Sequence, residues 1–111
     1  MQQQNAFNRA KQIRLDFGED VLVFSFCDSK GEQWEGCLEE WIGNDTFAGS
    51  SDEILEYRDR KYIAVGASGG GADVVLIRDD GAVCYLNDFD QQLSEVAASI
   101  DDFVALLRAP G

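Results

Sequence analysis

Residues 73–86 read DVVLIRDDGAVCYL, in which two apolar runs flank the dipeptide Asp80-Gly81. An Asp-Gly pair between apolar runs is a strong signal for a two-residue turn, because both central positions of that turn take a positive φ that Gly and Asp tolerate. The stretch therefore predicts an antiparallel hairpin. A two-residue turn defines three facing pairs, which are Ile77 with Cys84, Val75 with Leu86, and Leu76 with Tyr85.

Both faces of this predicted hairpin carry apolar side chains. Exposed apolar surface is unfavourable in water, so a strand pair of this kind needs cover on both faces. The chain's own helices and loops are the expected cover. The alternative is that the second face, or an exposed strand edge, binds a partner protein or a second copy of the chain.

The first half of the chain predicts a second hairpin. Residues 21–27 form a nearly continuous run of β-prone side chains, and the turn-forming residues 28–31 follow it. The chain then continues as a strand over about residues 33–41. Another strand is predicted at residues 62–65, before a glycine-rich loop at residues 68–71.

Three short helices are also predicted. The first covers residues 5–15, and the second covers residues 53–57 behind candidate N-caps at residues 50–52. The third begins after Ser99, with Asp102 at the third position of a near capping box. Apolar residues at helical spacing support the first helix and the third, and they are Ala6, Ala10, Ile13 and Phe17 in the first, and Ile100, Phe103, Val104 and Leu107 in the third.

These elements predict the fold class. A chain of 111 residues that is 45% hydrophobic has enough apolar surface for one core. We therefore expect a single α+β domain over residues 1–111, with a mostly antiparallel sheet packed by short helices.

Acidic charge is the most informative bulk property of the chain. With 21 acids, 9 bases and no histidine, its formal net charge is −12. Arg9, Lys11 and Arg14 lie in a first stretch without acids, so the rest of the chain is more acidic still. Such a field repels nucleic acids and anionic membranes and speeds encounter with basic proteins. The charge favours a basic protein as the partner, and the alternative is an acidic surface that serves only solubility.

Sequence patterns give expectations for the cellular compartment of the protein and for the state of its cysteines. No apolar run approaches the ~20 residues that a bilayer requires, and residues 1–5 lack the layout of a secretory signal, so we expect a cytoplasmic protein. Cys27, Cys37 and Cys84 are odd in number and contain no C-x-x-C pair. We therefore expect buried, reduced thiols that bind no metal.

One enzyme motif fits by its letters, because residues 66–70 match the G-x-S-x-G pattern of a nucleophile elbow. A serine nucleophile needs a neighbouring base, normally histidine, and the chain has none. The segment that follows predicts a strand where the elbow requires a helix. The glycines fit no phosphate-binding or dinucleotide-binding pattern, and the many adjacent acids are typical of a solvated face. We expect no catalytic residues and no cofactor.

The two tryptophans are candidate anchors for a basic partner. A large aromatic ring combines burial of apolar area with cation–π contacts to Arg or Lys. Trp34 and Trp41 are seven residues apart. This odd spacing places them on opposite faces of one strand, so at least one of them belongs to the core.

An ordered series of short motifs runs from residue 51 to residue 107. Its members are the predicted helix at 52–57, the strand and glycine loop at 62–73, the hairpin strands at 74–77 and 82–86, the NDFD segment at 87–90, and the start of the last helix at 96–103. In order and spacing this series resembles the SUKH superfamily, which includes bacterial immunity proteins and a fungal regulator of cell-wall glucan synthesis. The first half differs, because such proteins usually open with a longer helical region that contains a Leu-Pro element.

The resemblance implies a SUKH-like domain that neutralises a polymorphic toxin, often a nuclease, by tight binding. An acidic inhibitor would be steered to the basic surface that a nuclease uses for nucleic acid. A regulatory scaffold that binds cellular proteins without a toxin is the alternative function. The candidate partner contacts flank predicted strands and turns, and they are Trp34, Glu35, Glu39, Glu40, Trp41, Asp79, Asp80, Asp88 and Asp90.

Overall fold

A computed structural model describes residues 2–15, 21–28, 30–44, 54–57, 59–68, 73–87 and 92–109. These residues contain two helices and eight strands. The helices are α1 (Gln2–Gln12) and α2 (Ile100–Leu106). The strands are β1 (Leu22–Cys27), β2 (Gln33–Leu38), β3 (Glu40–Trp41), β4 (Ile54–Tyr57), β5 (Arg60–Ser68), β6 (Asp73–Arg78), β7 (Val83–Asn87) and β8 (Gln92–Ala97).

The strands form two antiparallel sheets. The larger has the order β3-β5-β6-β7-β8, and β4 pairs with β5 on the same edge as β3. Strands β1 and β2 form a separate two-stranded ribbon. The predicted α+β class, with a mostly antiparallel sheet packed by short helices, is confirmed.

Aromatic side chains form the centre of the core between the sheets and the helices. The Phe24 ring of the ribbon lies 5.2 Å from the ring of Tyr85 and 5.0 Å from that of Phe103, centre to centre. Trp41 stacks on Phe103 at 6.0 Å, and its indole N–H donates to the carbonyl of Ala10 at 3.0 Å. The core thus joins the ribbon, the large sheet and both helices.

The β6–β7 hairpin exists as predicted, but its turn is one residue longer. The Gly81 N–H donates to the Arg78 carbonyl at 2.8 Å, and the Arg78 N–H donates to the Ala82 carbonyl at 2.8 Å. Gly81 has φ +90, whereas Asp79 and Asp80 keep negative φ. A three-residue loop with glycine in the left-handed position is the next most common hairpin connection after the two-residue turns.

The longer turn shifts the hairpin register, so the predicted facing pairs are wrong by one residue. A shift of one residue moves side chains to the opposite face of a sheet. Tyr85 therefore lies in the main core, and Leu86 lies on the other face. The observed facing pairs are Ile77 with Val83, Leu76 with Cys84, and Val75 with Tyr85.

The second face of the large sheet is covered at its centre. Tyr62, Leu76 and Cys84 form a small buried cluster there, each at most 4% exposed within the single chain. At this position the chain itself covers the second face of the sheet, as expected.

The segment predicted as a helix over residues 53–57 is instead strand β4. Ile54–Tyr57 pairs antiparallel with β5, and the chain turns between them at Asp59, which has φ +63. Helix caps and charge placement contribute little to so short a segment, whereas pairing with a central strand satisfies its backbone directly. Strand β8, which the sequence analysis missed, is likewise held by pairing with β7.

The two remaining helices agree with prediction in position. Helix α1 starts three residues earlier than expected and buries Phe7 and Ala10, while the predicted contact Phe17 lies outside the described residues. Helix α2 has Ser99 as its N-cap, and the Ser99 hydroxyl accepts from the Asp102 N–H at 3.1 Å.

The cysteines differ in exposure, so the expectation of three buried thiols is wrong. Cys84 is buried, Cys37 is half-buried and Cys27 is exposed. Burial raises the pKa of the Cys84 thiol to about 11. All three are free thiols.

We predict that Ser99→Ala destabilises the protein by about 1 kcal/mol, because it removes the acceptor for an N–H at the start of α2. Ser99→Asn keeps a side-chain acceptor and should remain within a few tenths of a kcal/mol of the parent protein. Urea unfolding of the three proteins measures the difference. Equal loss of stability in both variants would contradict a capping role.

Candidate functional site

The structure divides the predicted contact residues between the two ends of strand β6. Asp79 and Asp80 follow the end of β6. The ribbon, with Trp34 and Glu35, lies toward its beginning, since the Tyr85 hydroxyl donates to Asp73 at 2.8 Å and accepts from the backbone N–H of Cys37. Six strand residues span about 17 Å. The predicted residues therefore do not form one continuous surface.

The end of β6 carries a network of ion pairs. Arg60 pairs with Asp79 and, at 3.5 Å, with Asp80. Arg78 pairs with Asp80 at 2.8 Å and with Glu95 at 2.6 Å. The Arg78 guanidinium lowers the pKa of the Asp80 carboxyl well below its usual range. Three carboxylates thus share two guanidinium groups, which offsets much of the negative charge at this end.

A groove of about 370 Å³ lies next to this network, between α1, the β6–β7 turn and the start of α2. Its size falls within the range of ligand pockets. Arg9 and Asp101 form an exposed ion pair across it at 3.1 Å, and Asp80 is paired with Arg78. The charged side chains that line the described part of this groove are therefore already paired with each other.

The ribbon presents a different arrangement, centred on Trp34. This side chain is 38% exposed, one of two large hydrophobic residues exposed in the described part of the chain. Its indole N–H donates to the Asp28 carboxylate at 2.8 Å. We call the residues Asp28, Glu32, Trp34, Glu35 and Gln92 the Trp34 corner.

Asp28 holds the Trp34 corner together. Besides the indole, its carboxylate accepts from the backbone N–H groups of Lys30 at 2.8 Å and Glu32 at 2.9 Å, and from the Gln92 side chain at 3.3 Å. The Trp34 hydrogen bond, with the two backbone N–H groups, lowers the pKa of the Asp28 carboxyl. Asp28 therefore stays ionised and fixes the orientation of the exposed indole.

Acidic residues neighbour Trp34 along the chain. Glu32 and Glu35 are both exposed, and Glu35 pairs with Arg108 at 3.0 Å. Glu39, at the end of β2, is exposed, while Glu40 in β3 is half-buried. An aromatic ring beside carboxylates is a suitable contact for Arg or Lys, because the ring face and the carboxylates both attract a cation.

The crevice under Trp34 is small. It lies between the ribbon and the ends of β7 and β8, is lined by Phe26, Trp34, Tyr85 and Gln92, and has a volume of about 10 Å³. That volume holds about one water molecule. The Trp34 corner is therefore a surface for a partner rather than a pocket for a small ligand.

The remaining predicted contacts lie elsewhere. Trp41 is 0% exposed and belongs to the core, which removes it from the candidate surface. The expectation that at least one tryptophan belongs to the core is confirmed. The reason differs, because Trp34 and Trp41 lie on different strands rather than on opposite faces of one strand. Asp88 and Asp90 lie outside the described residues.

Sequence reasoning missed Asp28, Glu32 and Gln92 as members of the site. Asp28 begins a turn, and Asp at such a position commonly accepts hydrogen bonds from backbone N–H groups. The sequence therefore offered a local indication of its backbone contacts. Gln92 lies 64 residues from Asp28 along the chain, so no local sequence pattern indicated their contact.

Two further searches concern the described residues only. They contain no group of three or more His, Cys, Asp or Glu residues that could hold a metal ion. Neither of their helices is long and apolar enough to cross a membrane.

Comparison of the chain with protein-family models, with curated proteins and with solved structures finds no match.

We predict that Asp28→Asn shifts and broadens the indole N–H resonance of Trp34 at pH 7, because the amide is a weaker acceptor than the carboxylate. The Trp41 resonance should stay unchanged, and a Trp34→Phe variant assigns the two signals. A ¹H–¹⁵N spectrum measures both.

The same resonance reports on pH. The pKa of Asp28 is lower in the folded protein than its ordinary value of 3.8, so the ionised carboxylate stabilises the folded state above that pH. This stabilisation is lost as the pH falls through the folded-state pKa. In the parent protein the midpoint of the Trp34 signal's pH titration should lie below pH 3.8, and a midpoint at or above that pH would contradict the contact.

Proposed function

We propose that this protein is a binding domain without chemistry of its own, and that it binds a basic protein through the Trp34 corner. The observation that carries the proposal is the exposed Trp34 indole, held in place by Asp28, with the exposed acids Glu32 and Glu35 next to it in sequence. A fixed aromatic side chain loses little conformational freedom on binding, and such residues dominate the binding energy of many interfaces.

Charge supports a basic partner. The formal net charge of −12 attracts a basic protein from a distance and raises the rate of encounter. At short range Trp34 and Glu32 are the favoured contacts, and Glu35 has an exposed basic partner, Arg108. Asp79 and Asp80 contribute less, because Arg60 and Arg78 already pair with them.

We further propose that the partner is a toxin domain that the protein neutralises, as the resemblance to the SUKH superfamily implies. That resemblance rests on the motifs after residue 61, because residues 54–57 form strand β4 and not the expected helix. A nuclease toxin fits the charge argument, because a basic surface that holds phosphate groups is also the surface that an acidic protein covers. Neutralisation would then follow from blocking access of the nucleic acid.

Affinity capture tests the proposal. The purified protein is immobilised and exposed to lysate of its native host at physiological salt, and retained proteins are identified by mass spectrometry. We expect one basic protein in stoichiometric amount, whose toxic activity is inhibited by the purified protein. Retention of several cellular proteins without any toxic activity would contradict the immunity function and favour a scaffold.

Charge reversal then tests the surface. We predict that Glu32→Lys with Glu35→Lys lowers the association rate constant for the captured partner about tenfold at low salt, because it reverses charge beside the Trp34 anchor. Glu56→Lys with Asp102→Lys changes the net charge equally, away from the Trp34 corner, and should lower the rate less than about threefold. Stopped-flow or surface-plasmon measurements give the rates. Equal effects of the two variants would show that only net charge matters.

A further inference from the structure

Hydrogen bonds show which way the backbone N–H and C=O groups of the ribbon point. The Val23 N–H donates to the Arg108 carbonyl at 2.8 Å, and the Arg108 N–H donates to the Val23 carbonyl at 2.9 Å. The backbone groups of Val23 therefore point away from β2. Since Val23 faces Cys37, this pair exchanges no hydrogen bonds within the ribbon.

Antiparallel pairs alternate between those that exchange hydrogen bonds and those that do not. The backbone N–H and C=O groups of Gln33 and Glu35, like those of Cys37, therefore point away from β1. The Cys37 N–H confirms this direction, because it donates outward to the Tyr85 hydroxyl. Beyond it, the Glu39 N–H donates to the Ala67 carbonyl at 2.9 Å, so the C-terminal half of this edge is satisfied within the protein.

The N-terminal half of the β2 edge has no backbone partner among the described residues. Gln33, Trp34 and Glu35 are all exposed. Within the described residues, the outward backbone groups of Gln33 and Glu35 have no hydrogen-bond partner. Two donors and two acceptors thus lie in a row beside the Trp34 corner. A row of this kind is the template on which an extended segment adds as a further strand.

We propose that the β2 edge at Gln33–Glu35 binds an extended basic segment of the partner by strand addition. This inference rests on the proposed function and specifies how the partner docks. The outward backbone groups supply main-chain hydrogen bonds, and the side chains of β2 select the sequence that pairs with them.

The two faces of β2 define the chemistry of the added strand. Trp34 lies on the same face as Gly36 and Leu38, which are buried, whereas Glu35 lies on the opposite face. A strand added at this edge places alternate side chains beside Glu35 and beside the Trp34 ring. The segment therefore alternates basic residues with apolar ones.

A second copy of this chain fits the edge poorly. Two β2 edges paired with each other would bring Glu32 and Glu35 close to the same residues of the other copy, and like charges across a strand pair are destabilising. The net charge of −12 on each copy adds to the repulsion. A basic segment of another protein relieves the same charge.

The test uses the whole chain and an eight-residue peptide of alternating Lys and Val, with both ends blocked. Amide hydrogen exchange is followed by NMR at low salt with and without the peptide. Strand addition predicts at least tenfold slower exchange at the Gln33 and Glu35 amides, with smaller changes at Trp34 and Gly36, whose amides already pair with β1.

Matched variants separate the backbone from the charge. Glu35→Pro removes the outward N–H without removing a hydrogen bond to β1, and Glu35→Gln removes only the charge. We expect peptide affinity to fall at least tenfold in the first and at most about threefold in the second. A peptide methylated on alternate backbone nitrogens, used with the parent protein, tests the same bonds without altering the fold and should also bind at least tenfold more weakly.

Each outcome decides the inference. Peptide binding without protection of Gln33 and Glu35, or with no loss on methylation, overturns strand addition and leaves binding of a basic partner to the acidic surface standing. Absence of peptide binding also overturns strand addition, and the capture experiment judges the proposed function separately. Protection of both amides that rises with protein concentration in the absence of peptide would identify a second copy as the occupant, contrary to the proposal.

Discussion

The position of the ribbon depends on the packing of the Phe24 ring between Tyr85 and Phe103. An isolated two-stranded hairpin is at best marginally stable in water, so β1 and β2 need this contact with the large sheet and α2. The facing strand β2 makes room for the Phe24 ring with a glycine, because a Cβ at Gly36 would lie 2.5 Å from that ring. Gly36 is thus required for close approach of the ring to β2. Removal of this packing would release the ribbon together with the surface that it carries.

Polar contacts near the beginning of β6 also hold the ribbon in position, in addition to the packing of Phe24. The Tyr85 hydroxyl is bonded to Asp73 and to the Cys37 backbone, and Asp28 is bonded to Gln92 of β8. Both contacts connect the ribbon to strands of the large sheet. The Tyr85 contact satisfies the C-terminal half of the outer edge of β2, and the Asp28 contact holds the turn end of the ribbon, where Trp34 lies.

Charge acts differently at the two ends of the molecule. At the β6–β7 turn the carboxylates are paired with Arg60 and Arg78, and exposed pairs of this kind contribute little to stability while they reduce the local field. Near Trp34 the acids Glu32 and Glu35 are exposed, and Glu35 pairs with Arg108 at 3.0 Å. The proposed class of partner thus rests on the net charge, and the proposed surface rests on the distribution of ion pairs.

The sequence by itself determined the features that depend on near neighbours along the chain. These are the α+β class, the existence of both hairpins, the Ser99 cap of α2, and the acidic character of the surface. Each follows from turn residues, side-chain periodicity or composition, which act over a few residues.

Only the tertiary structure decided the rest. The turn at Gly81 takes three residues rather than two, which set the register and exchanged the faces of Tyr85 and Cys84. Residues 54–57 became a strand because β5 offers a partner for their backbone. Trp41 lies in the core and Trp34 on the surface because the chain enters a different sheet between them. The turn is a choice between two local loop types, both of which the Asp-Gly pattern allows. The other features depend on contacts between residues far apart in sequence, whose energies no local pattern encodes.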